Sequence, residues 1–60
     1  MCESNVYMRK GKKEELVFEN LANLRFDGDK MIMENLFGEQ KTVKAAIKEL
    51  RLMEHKIIIQ

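Results

Sequence analysis

Residues 39–53 read EQKTVKAAIKELRLM, and the fold of the whole chain turns on how they are read. Val43, Ala46, Ile47, Leu50 and Met53 fall at helical spacing, and the Lys, Glu, Ala and Leu among them are good helix formers. The same letters also divide into two short strands, 40–44 and 47–53. Leu50 and Leu52 then alternate with charged residues, and Glu54 and His55 turn the chain. Local propensity favours the helix; the residues alone leave both readings open.

Outside that stretch the signals are those of strands. Residues 56–59 carry three consecutive isoleucines, whose branching at Cβ favours a pleated sheet, and the end of the chain reads as a buried strand. A strand is expected over 4–9, where Val6 and Met8 alternate with Asn5 and Tyr7, stopping at the turn residue Gly11. A second follows over 13–18. Glu19 and Asn20 interrupt the pattern before a third over 21–26, which runs into Asp27-Gly28-Asp29. That triplet is the strongest hairpin signal, because glycine tolerates positive φ, and an Asp-Gly-Asp turn beside Lys30 needs no metal to explain it. A returning strand is expected over 30–36, with Phe37 and Gly38 marking the next turn.

Sixty residues make a single domain, 1–60. A domain of this size buries only about 60% of its unfolded surface, so a second copy is the expected reinforcement. One cysteine excludes a disulfide within the chain, and no signal-like segment or run of about 20 apolar residues is present, which reads as a cytoplasmic protein with no membrane partner. Eleven Lys and Arg against ten Asp and Glu give a net charge of +1, far from the basic excess of a protein whose affinity comes from phosphate contacts. Five methionines suit either a small core or an adaptable contact surface. With one histidine and no glycine-rich phosphate loop, nothing specifies a reaction, and the chain reads as a non-enzyme.

Cys2 stands directly behind Met1. Removal of Met1 would leave thiol and amine on one residue. Joined by deprotonated backbone amides, they form an in-plane nitrogen and sulfur donor set that favours square geometry with Ni(II) or Cu(II). Both groups bind deprotonated, so uptake releases protons and strengthens as pH rises. A lone cysteine is more often a small buried hydrophobe or part of a frayed end. His55 lies between Glu54 and Lys56 in a turn, where a solvated imidazole is the commoner reading.

Met1-Cys2, Val6-Tyr7, Gly11, Asp27-Gly28-Asp29, Leu36-Phe37-Gly38-Glu39 and His55-Lys56-Ile57, taken in order, resemble the small CooT family of nickel-binding proteins over essentially the whole chain. The resemblance implies an all-β fold, a small antiparallel SH3-like β-barrel that pairs as a homodimer. Strands across 40–53 follow from it, with room for one short helical turn near residues 40–48, where this chain has Ala45 and Ala46 and family members often have glycine. It implies Ni(II) held by Cys2, and a metallochaperone or accessory role toward a partner in maturation of a carbon monoxide dehydrogenase-type nickel enzyme.

The family has also been described as RNA-binding, which gives the alternative of a small RNA-binding β-barrel. Its cations would be Arg9, Lys10, Lys12 and Lys13 around one turn and Lys41, Lys44, Lys48 and Arg51 in another cluster. Tyr7, Phe26 or Phe37 would stack on bases if exposed. Solvated charge and core aromatics are the plainer reading of the same residues.

Overall fold

The computed structural model describes residues 3–60. Six strands, β1 (Ser4–Lys10), β2 (Lys13–Asp27), β3 (Lys30–Asn35), β4 (Gln40–Lys44), β5 (Ile47–Arg51) and β6 (Lys56–Ile59), form one sheet in the order β4-β3-β2-β1-β6-β5. Two-residue loops close the first two hairpins, with Gly11 at φ 63° and Gly28 at φ 64° in the first central position. Both are of the type II′ kind, whose twist matches that of the flanking strands.

The order sets β4 and β5 at opposite edges, which in a flat sheet of this width would lie about 24 Å apart at the usual strand spacing. Yet only Ala45 and Ala46 separate them in the chain. Three peptide steps reach at most about 11 Å, so the sheet must curl until its edges meet, as in a small barrel. The ladder itself is not closed: Ala46 and Gln60 exchange N–H···O bonds of 3.1 and 3.0 Å, carrying the β5–β6 pairing up to the corner where the backbone joins β4.

The opposite corner lies in β2. Fifteen extended residues would measure about 50 Å, whereas the molecule's longest dimension is 31 Å. Three register shifts bend the strand. Val17 is the extra residue between the pairs Val6↔Phe18 and Tyr7↔Leu16, another falls between Phe18 and Leu21, where Asn20 takes φ 56°, and a third between Leu21 and Asn23. Each bulge adds twist and redirects side chains. The interruption expected at Glu19 and Asn20 is thus a bend within one strand rather than a break between two.

Four of the five pairings are antiparallel, as expected; β1 and β6 run parallel, with Asn5↔Lys56 through Met8↔Ile59 in register. The Leu52–Glu54 turn reverses the chain and feeds β6 into the sheet from the end where β1 begins. The helical turn expected near residues 40–48 is corrected here. Residues 40–44 form strand β4 and the only helical turn among the described residues, a 3-10 turn, is Leu52–Glu54. Val43 and Ala45 pack against the core while β4 pairs with β3. Those gains outweigh helix preferences worth a few tenths of a kcal/mol per residue. Met53, which the helical reading would place on the buried face, is 95% exposed.

Val6, Met31, Met33 and Ile59 form the buried centre, with Met8, Phe18, Leu21, Leu24 and Ile57 packed around it. The methionines therefore serve mainly as core: Met31 and Met33 are fully buried and Met8 lines the same cluster. Ile58 points the other way yet is also fully buried, between its cross-strand neighbours Tyr7 and Glu49.

Met33→Ala is expected to lose about 2–5 kcal/mol by cavity formation, a large share of the about 3–9 kcal/mol available to a chain of this size. Met53→Ala, at protein concentrations low enough to keep the chain monomeric, should leave the denaturation midpoint unchanged. Urea unfolding followed by circular dichroism distinguishes the two.

Candidate functional site at the start of the first strand

The described residues enter the sheet at β1, and that entry is fixed on two sides. The backbone N–H of Asn5 donates to the carbonyl of His55 at 2.9 Å, and the Asn5 side-chain oxygen accepts the N–H of Asn20 at 3.0 Å. Asn20 accepts in turn from the N–H of Leu36 at 3.0 Å, so three segments meet there. Asparagine suits both roles, because it tolerates the left-handed region at position 20 and offers a short acceptor at position 5. The Lys56 ammonium lies 4.9 Å from the centre of the Tyr7 ring and 3.9 Å from Glu54.

Cys2, the expected metal ligand, lies outside the described residues, as does the Met1 that precedes it. Among the described residues no three His, Cys, Asp or Glu side chains gather as a metal site. His55 adopts φ 55° in the turn after Leu52–Glu54 and is exposed, as its sequence setting suggests. Around the same turn Leu50, Leu52 and Met53 are 53%, 70% and 95% exposed. Asp27 and Asp29 form the expected hairpin turn, with Asp29 3.4 Å from Lys44.

The two groups of cations expected on a nucleic-acid surface are largely engaged with this chain's own acceptors. Arg9 lies 2.9 Å from Glu49, Lys10 3.3 Å from Glu15, and Lys41 donates to the Val17 carbonyl at 3.2 Å. Arg51 lies 2.9 Å from Glu14 and 3.0 Å from Glu49. Two aromatics depart from the core reading, since Phe26 is 50% and Phe37 75% exposed. They stand at opposite ends of β3 and so do not make one stacking platform. Tyr7 is half-buried under Lys56.

Arg9, Glu14, Glu49 and Arg51 alternate in charge across the outer face, above the buried Ile58. Hydrogen bonds from Arg51, then from Arg9, hold the Glu49 carboxyl below the usual carboxylate range, and the Glu49 bond raises the Arg51 pKa further. Arg9 and Glu49 are forty residues apart in the chain, so no local pattern announces this network.

Its six strands, curled into one sheet with a single 3-10 turn among the described residues, define the chain as a small all-β domain. The sequence profile of the CooT family, CO dehydrogenase accessory protein CooT, matches residues 1–60, and the chain belongs to that family. It is 38% identical over 60 residues to the uncharacterised protein MJ1551 of Methanocaldococcus jannaschii, covering 100% of this chain and 98% of that one. A crystal structure from Carboxydothermus hydrogenoformans, provisionally identified as a CooT, superposes with a TM-score of 0.89 at 38% identity. The match covers 97% of this chain and 94% of that one. No helix among the described residues is long and apolar enough to cross a membrane.

The depressed Glu49 pKa gives the pH dependence its sign. The stability it contributes is present above the unfolded-state value and is lost as pH falls through the lower folded-state value. Glu49→Gln should unfold at lower temperature than the parent at neutral pH and low salt. The gap should narrow in acid below the carboxylate range and in high salt, as read by thermal melts across pH.

Proposed function

We propose that this chain carries Ni(II) on Cys2 as a metallochaperone for maturation of a CO dehydrogenase-type nickel enzyme. The observation that carries the reading is the whole-chain match to a CO dehydrogenase accessory family in a protein whose single cysteine is its second residue. With Met1 removed, a thiolate with adjacent amine and amide nitrogens would form the in-plane nitrogen and sulfur donor set that suits Ni(II). The start of β1 supports the reading. Asn5, three residues after the cysteine, is bonded on both sides, so a terminal ligand would spring from a fixed base.

Two chains together would supply two thiolates. The apolar surface of Leu50, Leu52 and Met53 supports a homodimer, since each of these side chains loses water only against another molecule.

In a competitive titration followed by thiolate-to-metal absorption, Cys2→Ser should lose the absorption band and bind Ni(II) at least tenfold more weakly. Equal binding by the variant overturns the proposal. Affinity should also fall as pH drops below about 8, since the thiol and amine titrate near roughly 8.5 and 7.7–8.0 and must shed protons to bind.

A further inference from the structure

The first half of β2 pairs with β1 on one side only, because β3 takes up β2 beyond the bend, from Leu21 onward. Among the described residues its other side is an open sheet edge. The two-residue loop at Gly11 fixes which groups point there. Lys10 and Lys13 exchange bonds across the hairpin, as do Met8 and Glu15, and the intervening Glu14 and Leu16 aim N–H and C=O away from β1. The Val17 carbonyl at the same edge already accepts the Lys41 ammonium at 3.2 Å.

Beside this edge runs a groove of about 310 Å³ whose lining includes Leu16, Glu19, Phe37 and Glu39. Leu16 is 45% and Phe37 75% exposed. The far wall is rigid. Asn35, 8% exposed, accepts the N–H groups of Phe37 and Glu39 at 3.0 and 2.9 Å and donates to the Glu39 carboxylate at 2.6 Å. The groove lining contains two carboxylates and no cation; along the strand itself the nearby cations are already engaged, Lys41 with the Val17 carbonyl, Arg51 with Glu14 and Lys10 with Glu15.

From the open edge, the apolar walls and the acidic lining, we infer that this groove docks an extended segment of a partner protein, with lysine or arginine alternating with apolar residues, by adding it as a strand beside residues 14–17. Backbone bonds to Glu14 and Leu16 hold the segment, Leu16 and Phe37 take its apolar side chains, and Glu19 and Glu39 its cations. The inference stands apart from nickel binding, since none of these residues lies at the start of β1.

The probe is a blocked hexapeptide of alternating valine and lysine, titrated into isotopically labelled full chain. Amide shifts should centre on Glu14, Leu16 and Phe37. Leu16→Pro, which removes both the outward N–H and the Leu16 side chain, should weaken binding at least tenfold, and methylating alternate backbone nitrogens of the peptide should do the same with the groove side chains intact. Glu19→Lys should weaken binding several-fold with the remaining spectrum intact, and a valine–glutamate hexapeptide should not bind. The inference is overturned if the shifts lie elsewhere or if the methylated or glutamate peptide binds as well as the probe. Movement of the Glu14 and Leu16 amides on dilution of the protein alone would show that a second copy fills the edge, which also overturns it.

Discussion

The structure depends on the bend in β2. One strand serves as the second strand of two ladders only because three bulges between Val17 and Asn23 turn it through the corner. Straightened, its first half would carry β1 and β6 away from β3, and Val6 and Ile59 could not reach Met31 and Met33. The bulge at Val17 also lets the adjacent residues Val17 and Phe18 both pack on the core, which a regular period of two forbids. A domain of 60 residues has little apolar surface to spare, and this irregularity recovers some of it.

Much of this was legible in the sequence because its strands are short and their ends are marked chemically. Gly11, Gly28 and Gly38 sit at three turns, all with positive φ, and the isoleucine run is a strand over the expected residues 56–59. Residues 39–53 were ambiguous because strand pairing is a property of partners. Nothing within the stretch states that Gln40–Lys44 will lie against β3 and Ile47–Arg51 against β6. The exposure of Phe26 and Phe37 was equally hidden, since hydropathy marks both as core and only the position of the hairpin ends leaves them outside. Asn20 offered a local clue to the bend, being a residue that tolerates the left-handed region in the middle of an otherwise strand-like run.

The candidate site divides along similar lines. Cys2 is conspicuous as a residue type at a terminus, but its value as a ligand is a matter of chemistry that no fold pattern encodes. The structure contributes the anchoring of β1 by His55 and Asn20, bonds between residues 50 and 15 positions apart that composition cannot show. It also changes the weight of the charged clusters. Read along the chain they look like two basic patches; folded, Arg9 and Arg51 share carboxylates that the sheet brings from β2 and β5.

The parallel pairing of β1 with β6 has a mechanical consequence. Ser4 opens β1 at one end of this pair and Ile59 closes β6 at the other, so tension applied between Ser4 and Ile59 runs along both strands in opposite directions. Such a load shears the rungs from Asn5↔Lys56 to Met8↔Ile59 together instead of peeling them one at a time. The domain should therefore be stiff when pulled from its ends and far softer when a hairpin tip is pulled away from the sheet.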